Sequence, residues 1–512
     1  MAHRRRRAVC DRAGARGGGA HGHEGGGRGD RAGRRDADAE MSTMTFDVCV
    51  VGAGLAGLTA GVRAAEAGLR VVVLERSADP EYLCNSRLTG GAFHVCLNDI
   101  QTEAGRLERI ILDATHGAAH AGLARAIATD ARRAVKWLQS QGIRFIKGGS
   151  EPHHNFVLSP PSLQRVGSEW RGRGGDVLLR TLGAALARHG GELRRGHRAQ
   201  ELMVAHGRCV GVKGLAQEGP FSIEADAVVI ADGGFQCDPA LLRQSISPEP
   251  AKLLQRNARS GLGDGVRMAQ AAGARLSDLR GFYGHVMNRN AMTDDRLWPL
   301  PWMDNVATAA IVVDAGGQRI ADEGRGGVYL ANRIAALADP LSAFVVFDQP
   351  IWDGPGTSRF LPPNPHMEKC GGAIERADSI EALAGKLGID GAALAATVAG
   401  HNAALAAGTT ARLAPPRSLE RYKALPVVTE PFYGVPVCAG ITYTMGGLAI
   451  DEWSRAMDEQ GAPFAGLYAA GGASGGLEGG EDVGYVGGLA KAATTGLRAA
   501  EHIVGQRATA RA

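Results

Sequence analysis

A glycine turn near the start of the chain restricts the fold to a small set of architectures. It lies in residues 45–76, TFDVCVVGAGLAGLTAGVRAAEAGLRVVVLER, where Gly52, Gly54 and Gly57 have G-x-G-x-x-G spacing. A β-branched apolar segment precedes the turn, an Ala-rich segment follows it, and a second apolar segment ends on Glu75. This order predicts a strand, a turn, a helix and a second parallel strand of an α/β sheet.

The three glycines and the acid each have a physical role in binding a dinucleotide. Gly52 allows the tight turn, Gly54 lets a pyrophosphate approach the backbone, and Gly57 lets the helix pack closely on the strand. The helix N-terminus supplies N–H donors and the positive end of a dipole. Glu75 would accept hydrogen bonds from a ribose diol and would repel a 2′-phosphate. A strand–turn–helix without a ligand is the alternative, but the matching strand, helix and acid favour a dinucleotide site.

Residues 1–40 differ in composition from the rest of the chain, being mostly Arg, Gly, Ala and Asp with almost nothing to bury. An RGG-like nucleic-acid-binding arm would need interleaved aromatic residues, and a transit peptide would need Ser and few acids. We favour a third interpretation, in which translation begins at Met41 or Met44. Residues 1–43 are then a disordered Arg/Gly-rich segment. Without it the net charge of +4 loses its positive excess, which argues against a nucleic-acid partner.

The remaining composition excludes several classes of protein. There is no apolar run of about eighteen residues and no signal-peptide pattern, so we expect no membrane span. The eight cysteines show no C-x-x-C spacing and no paired histidines. This pattern indicates a reducing cytoplasm and no zinc, iron–sulfur or other metal site.

Two further segments are suited to line an extended ligand. Residues 85–94, NSRLTGGAFH, form a polar loop with backbone N–H groups to donate, although an ordinary surface loop has the same composition. The apolar residues 225–231 end in Ala231-Asp-Gly-Gly-Phe, a second strand-to-glycine turn that would bring another backbone to the same ligand. Asp176 is expected to cap a helix over residues 176–189.

Taken in order, the motifs resemble the flavoprotein superfamily of fumarate reductases and succinate dehydrogenase flavoprotein subunits. The soluble branch with tricarballylate dehydrogenase and the ketosteroid dehydrogenases is the most similar. The resemblance covers residues 44–505 and depends on GAGLAGL with Glu75, NSRLTGGAF, ADGGF, GDGVRMAQAAGA, AAIVVDAGGQRIADEG, TMGGLAID and GLYAAGG.

The resemblance implies an α/β fold: a Rossmann-like FAD-binding domain with an inserted α+β capping domain. The FAD-binding domain would comprise residues 44–282 and 443–512, and the capping domain with its substrate residues would comprise 283–442. FAD would be bound non-covalently, because the NSRLTGG loop contains no histidine. The implied cofactor-binding residues are Gly52, Ala53, Gly54, Gly57, Glu75, Arg76, Ser86, Arg87, Thr89, Gly90, Gly91, Ala231, Gly233, Gly471, Gly488 and Leu489.

The C-terminal helix has an electrostatic role in this arrangement. Beginning at Gly487 and Gly488, it would direct N–H groups and the positive end of its dipole to the flavin N1/O2 edge. Reduction places negative charge there, so the helix favours acceptance and release of a hydride. Enzymes of this family transfer the hydride between flavin N5 and a carbon beside a carbonyl or carboxylate, while a second residue moves a proton on the neighbouring carbon.

Four residues are candidate catalytic residues by the resemblance. His285 falls where fumarate reductases keep a histidine for a substrate carboxylate, and Arg325 lies just before the position of their acid-catalyst arginine. Tyr443 replaces a substrate histidine before Thr-Met-Gly-Gly, and Tyr485 replaces a substrate-clamping arginine. Such tyrosines are similar to those with which ketosteroid dehydrogenases polarise a ketone. The alternatives are a structural histidine at His285 and a surface ion pair at Arg325.

Other family positions differ in this chain. Gly472 replaces the acid that commonly holds the ribityl chain, and Trp302 and Val306 stand near the positions of the proton-relay residues. The acids within residues 478–482 have no role that the sequence shows.

Two functions stay open. One is an FAD-dependent oxidoreductase for CH–CH groups, a fumarate-type reductase or a ketosteroid-type dehydrogenase, acting on a small carboxylate or enone. The other is a flavin-binding protein without turnover. A separate electron donor or acceptor is expected, because the sequence has no haem or iron–sulfur attachment.

Overall fold

The computed structural model describes residues 44–162, 169–358 and 361–511. The predictions made for residues 1–43 lie outside these ranges. The strands are β1 (Met44–Val51), β2 (Val71–Glu75), β3 (Phe145–Ile146), β4 (Val157–Leu158), β5 (Glu192–Arg195), β6 (Arg198–Ala205), β7 (Arg208–Ala216), β8 (Gly219–Ile230), β9 (Leu254–Gln255), β10 (Phe282–Asn288), β11 (Ile311–Val313), β12 (Ala343–Asp348), β13 (Glu375–Ala377), β14 (Phe432–Thr444), β15 (Leu448–Ala449), β16 (Arg455–Met457), β17 (Pro463–Ala469) and β18 (Ser474–Gly475).

The helices follow the same chain order, with short 3₁₀ turns between some of them. They are α1 (Leu55–Glu66), α2 (Asn85–Leu88), α3 (Ala104–Ala114), α4 (Ala121–Ser140), α5 (Gly174–Arg188), α6 (Pro239–Ser245), α7 (Asp264–Ala271), α8 (Asp304–Ala309), α9 (Gly327–Ala335), α10 (Gln349–Asp353), α11 (Pro363–Lys369), α12 (Ile380–Leu387), α13 (Gly391–Ala407) and α14 (Gly488–Arg511).

The larger sheet has eight strands in the order β16-β17-β7-β8-β1-β2-β5, and β6 pairs with β7. Its centre is parallel, and β1 and β2 are buried almost throughout, as expected of parallel strands that are covered on both faces. Val51 at the end of β1 lies opposite Leu74 of β2 and Ile230 of β8, and Ile230 lies opposite Ala469 of β17. The segments that follow these four strands therefore meet at one edge of the sheet, the usual ligand site of an open α/β sheet.

Helices α1 and α14 pack against each other closely enough to require a small residue. A Cβ atom built on Gly496 of α14 would lie 2.4 Å from the carbonyl oxygen of Ala56 in α1. The contact holds the N-terminal half of α14 beside the helix that follows the glycine turn.

The smaller sheet has six strands in the order β10-β14-β12-β11, with β13 and β9 also paired to β14. All of its pairings are antiparallel except that of β9 with β14. The strands of this smaller sheet lie within residues 254–444. One of them, β9, comes before residue 282 and so belongs to the segment that was predicted to be part of the FAD-binding domain. The domain boundaries at residues 282 and 442 stay a prediction.

The described ranges contain neither a bilayer-spanning helix nor a cluster of metal-ligating side chains. No helix there combines the length and apolarity that a bilayer span requires. In the same ranges, His, Cys, Asp and Glu side chains form no group of three or more that could hold a metal ion.

Candidate active site

A cavity of about 1600 Å³ lies at the strand edge of the larger sheet. This exceeds the roughly 300–1,000 Å³ of a typical small-molecule site and leaves room for an extended ligand. Two of the predicted cofactor residues, Gly57 and Arg87, are not part of its wall. The wall includes the other predicted residues: Gly52, Ala53, Gly54, Glu75, Arg76, Ser86, Thr89, Gly90, Gly91, Ala231, Gly233, Gly471, Gly488 and Leu489, and also His285, Arg325, Tyr443 and Tyr485.

The glycine turn leaves its backbone open at the second glycine. Gly52 has φ +103°, and a Cβ atom there would lie 2.5 Å from the carbonyl oxygen of Ala231. A Cβ atom on Gly57 would lie 1.9 Å from the carbonyl oxygen of Gly52, so both positions require glycine. At Gly54 the nearest atom would be the Oγ of Ser86, 3.5 Å away. This open backbone at the start of α1 fits a pyrophosphate.

The carboxylate of Glu75 is fixed at the end of β2. Its oxygens accept hydrogen bonds from the backbone N–H groups of Ala53 (3.4 Å) and Ser77 (2.9 Å). The side chain is buried, and burial raises the pKa of the carboxyl group. Glu75 faces the cavity beside the glycine turn, where a ribose hydroxyl could donate to it.

Residues 85–94, which the sequence predicted to be a loop, begin with the short helix α2 and are held by contacts to α1 and α5. Ser86 Oγ accepts the N–H of Leu55 at 3.0 Å, which connects the loop to the start of α1. Arg87 forms a buried ion pair with Asp176, which explains its absence from the cavity wall. Asp176 was predicted to cap α5, but Arg173 occupies the N-cap position and Asp176 lies in the first turn. Its carboxylate is used by Arg87 and by the N–H of Gly172 at 2.9 Å.

Two buried polar atoms at the cavity have no hydrogen-bond partner among the described residues. They are Oδ1 of Asp232 and Oε1 of Gln236. Burial raises the pKa of Asp232 to about 7. Buried polar atoms are normally paired, so these two acceptors are available to a ligand that brings hydroxyl or N–H donors. Asp232 lies in the ADGGF turn, but the sequence pattern gave no reason to expect a ligand-binding role for its side chain.

A buried carboxylate organises the start of α14. Glu478 accepts the N–H groups of Val486 (3.1 Å) and Gly487 (3.4 Å), and the Lys491 ammonium lies 3.1 Å from its second oxygen. The hydroxyl of Tyr443 donates to the same carboxylate at 2.7 Å. This network gives Glu478 the structural role that the sequence did not reveal.

Three tyrosines form a cluster at the start of α14. Tyr283 and Tyr485 are stacked with ring centroids 3.9 Å apart, and Tyr443 lies 5.7 Å from Tyr283 and 6.4 Å from Tyr485. The N–H of Gly488 points to the Tyr485 hydroxyl at 3.5 Å. Burial raises the pKa of both Tyr443 and Tyr485 well above the usual value, and the Glu478 and tyrosine neighbours add to this. Both phenols are therefore neutral hydrogen-bond donors at physiological pH.

His285 lies beside this cluster and has partners on each side of its ring. Nδ1 is 2.6 Å from the carboxylate of Asp304, and Nε2 is 3.2 Å from the Tyr283 hydroxyl. The ring is stacked on Trp302 with centroids 3.8 Å apart. Tyr283 and His285 are two residues apart on β10 and so share one face of the strand.

Arg325 lies at the cavity with two acidic partners. It pairs with Asp482 and, at 3.1 Å, with Glu481, and its guanidinium lies over the ring of Tyr329 at 4.3 Å. Asp482 also contacts His116, whose side chain is 56% exposed. The ion pair considered in the sequence analysis is therefore present, and it lies on the cavity wall rather than on an open surface.

Comparison with known proteins identifies the family to which the chain belongs. The model of the FAD binding domain family matches residues 47–484. Probable fumarate reductase Ifc3 of Shewanella frigidimarina is 27% identical, over 86% of this chain and 72% of its own length. The 4-oxocyclohexanecarboxylate 2-dehydrogenase of Sinomonas cyclohexanicum is 27% identical, over 91% of this chain and 94% of its own length.

A solved structure supports the same fold. The open conformation of a flavocytochrome c3 fumarate reductase superimposes with a TM-score of 0.64 at 25% identity, covering 91% of this chain and 79% of that one. The predicted α/β fold and the cofactor FAD are confirmed, as is the resemblance to fumarate reductase flavoproteins. The chain belongs to the FAD binding domain family.

Proposed function

We propose that this FAD-dependent oxidoreductase adds or removes hydrogen at a CH–CH group beside a ketone. The observation that carries the proposal is the group of neutral tyrosines at the start of α14, where fumarate-type enzymes hold a dicarboxylate with charged groups. The Sinomonas relative, whose name describes a dehydrogenase of an oxo acid, supports the same choice.

The residues present fit FAD along the cavity. The open backbone at Gly54 and the carboxylate of Glu75 suit the pyrophosphate and the adenosine ribose, and the 85–94 loop with the start of α14 would hold the flavin half. When bound, FAD supplies the chemistry of hydride acceptance and release at flavin N5. A separate electron partner and a cytoplasmic location belong to the same proposal.

Tyr485 would polarise the ketone. Its hydroxyl receives the N–H of Gly488 and keeps its own proton, so it can donate to a carbonyl oxygen in the cavity. An enolate oxygen gains negative charge during the reaction, and a fixed donor in a dry site stabilises that charge more than water does. Tyr443, whose ring centroid lies 6.4 Å from that of Tyr485, also lines this wall of the cavity.

Tyr443 with Glu478 would carry the proton of the neighbouring carbon. In the dehydrogenation direction the substrate proton moves to the Tyr443 oxygen, while the Tyr443 proton moves along its 2.7 Å hydrogen bond to the Glu478 carboxylate. The phenol thus passes a proton without becoming a free phenolate, which its raised pKa disfavours. The reduction direction reverses both transfers.

A second candidate is reduction of an enoic acid with Arg325 as the proton donor. The observation that favours it is the chain of contacts from Arg325 through Asp482 to the exposed His116, which connects the cavity to solvent. In this alternative the tyrosines would only shape the cavity.

Flavin absorbance measured without oxygen distinguishes the two candidates. A saturated cyclic ketone is expected to bleach the oxidised protein, and the matching enone to restore the colour of the dithionite-reduced protein, while fumarate does neither. Restoration by fumarate alone would contradict the ketone proposal and favour the enoic acid. A protein that keeps FAD but responds to none of these compounds would bind flavin without turnover.

Non-covalent attachment of FAD is a further prediction. The NSRLTGG loop has no histidine, and His94 just after it already accepts the N–H of Leu97 at Nδ1 (3.2 Å) with Tyr485 beside Nε2 (3.5 Å). Acid precipitation is therefore expected to leave a colourless pellet and a yellow supernatant. A pellet that stays yellow in denaturant would contradict this, and its loss of colour in His94→Ala would identify the attachment site.

A further inference from the structure

Arg256 reaches the cavity wall directly after a short strand that the sequence pattern does not predict. The short strand β9 pairs in parallel with β14, with Leu254 opposite Gly440 and Gln255 opposite Ile441. The next residue, Arg256, donates its backbone N–H to the carbonyl oxygen of Ile441 at 2.8 Å. Arg256 therefore enters the cavity wall beside the end of β14, the strand that carries Tyr443.

The guanidinium of Arg256 is oriented by neutral groups. Nε and one terminal nitrogen donate to the carbonyl oxygen of Pro299 at 3.3 and 3.2 Å, and the other donates to Thr442 Oγ1 at 2.8 Å. The guanidinium carbon lies 5.4 Å from the ring centroid of Trp302. A guanidinium has five N–H donors, so one donor on each terminal nitrogen remains for a ligand.

The charge of Arg256 has no acidic partner within 4 Å among the described residues. Asp304 acts on it from a longer distance, but the oxygens of Asp304 are used by His285 and the N–H of Val286 (2.8 Å). Burial lowers the pKa of Arg256, because removal from water disfavours the charged form of the guanidinium. Arg325, by contrast, has two carboxylates. Enclosed charges are normally paired, so a ligand is expected to bring the missing anion.

We propose that Arg256 binds a carboxylate of the substrate, so that the substrate is a ketone that also carries an acid group. The inference rests on the proposed function for the ketone half. The FAD phosphates are not the expected partner, because their site is the open backbone at Gly54, whereas Arg256 contacts Trp302 and Thr442, next to Tyr443 in β14. A planar guanidinium with two donors left suits a carboxylate in a forked geometry.

Equilibrium binding tests the anchor without requiring turnover. The probes are cyclohexanecarboxylate and its methyl ester, which carry no ketone and so are not expected to reduce the flavin, and the readout is the perturbation of the flavin spectrum. The wild-type protein is expected to bind the acid about 10- to 30-fold more tightly than the ester, the scale of a charge-assisted hydrogen-bonded pair. Arg256→Met should lose this preference with ester affinity and FAD content unchanged, and Arg256→Lys should keep part of it. Arg259→Met, at an exposed arginine of the same segment, should behave as wild type.

Several results would overturn the anchor. One is equal affinity of the wild-type protein for the acid and the ester. Another is an Arg256→Met variant that keeps the wild-type preference for the acid. A third is loss of FAD in both Arg256 variants, since this would assign the arginine to cofactor binding. If Arg256→Met loses FAD but Arg256→Lys keeps it, the lysine variant tests the anchor. A reduced preference of that variant for the acid over the ester supports the anchor, and a wild-type preference overturns it. Failure of the proposed function has a different signature: the acid preference would depend on Arg256 while no ketone or enone changes the redox state of the flavin.

Discussion

Turnover of the ketone substrate is expected to fall by about a thousandfold when Tyr443 is replaced by phenylalanine, a loss within the range measured for general acid–base groups. The substitution removes one oxygen and keeps the ring that packs 5.7 Å from Tyr283. Glu478 keeps three other donors, from Lys491, Val486 and Gly487, so its carboxylate stays paired. FAD content and melting temperature should therefore stay close to those of the wild-type protein, and anaerobic stopped-flow reduction of the flavin measures the rate.

A matched control separates loss of the relay from loss of any buried hydroxyl. Tyr468 is also buried and bonds to His502 at 3.0 Å, but it is not part of the cavity wall. Tyr468→Phe should reduce the flavin at the wild-type rate. Tyr485→Phe should also be slow, because the carbonyl loses its donor. If Tyr443→Phe reduces its flavin as fast as Tyr468→Phe, Tyr443 does not carry the proton.

The parts of the fold that are encoded locally could be predicted from the sequence. One such part is the segment of residues 52–75, which contains the turn at Gly52, helix α1 and the acid that ends β2. Each of these features has a steric or electrostatic requirement that few residue types meet. FAD and the α/β fold followed from that segment and the collinear motifs after it. The cofactor residues that line the cavity come mostly from these motifs.

The substrate side of the cavity could be predicted only in part, because long-range pairing assembles it. Arg256 depends on a strand of two residues that pairs with residues more than 180 positions later, and no local periodicity shows that pairing. Glu478 and Lys491 are charged residues in the sequence, but their ion pair forms only because the turn before α14 brings the two side chains together. Tyr283 is different: its alternation with His285 places both side chains on one face of β10, a signal that could have found it.

Arg325 and Arg256 differ in the partners that the protein already provides to them. Arg325 is neutralised by Asp482 and Glu481, whereas the charge of Arg256 is left for a ligand among the described residues. An anion that enters the cavity gains more from Arg256, because pairing with Arg325 would require it to displace a carboxylate. The role proposed for Arg325 is therefore to position the substrate and close the cavity wall, rather than to serve as its principal anion site.

Replacing Arg325 by lysine is expected to lower turnover by about a hundredfold, the effect of a small displacement of a group that positions substrate. The guanidinium pairs with Asp482 and Glu481, and its carbon lies 4.3 Å from the ring centroid of Tyr329. Lysine keeps the charge but lacks the planar fork, so it cannot hold all three contacts together. The segment of residues 481–485, which carries Tyr485, would then shift relative to the flavin.

The kinetic pattern distinguishes positioning from simple stabilisation. In Arg325→Lys, kcat should fall with little change in KM or FAD content, and Asp482→Asn should reproduce the fall because it breaks the same contact from the other side. Arg333→Lys, at an exposed arginine of α9, is the matched control and should keep the wild-type rate. If Arg325→Lys also turns over at that rate while its melting temperature falls, the ion pair serves stability alone. The reaction would then depend on Tyr443 and Tyr485, the two candidate catalytic residues that contact the start of α14 and its buried carboxylate.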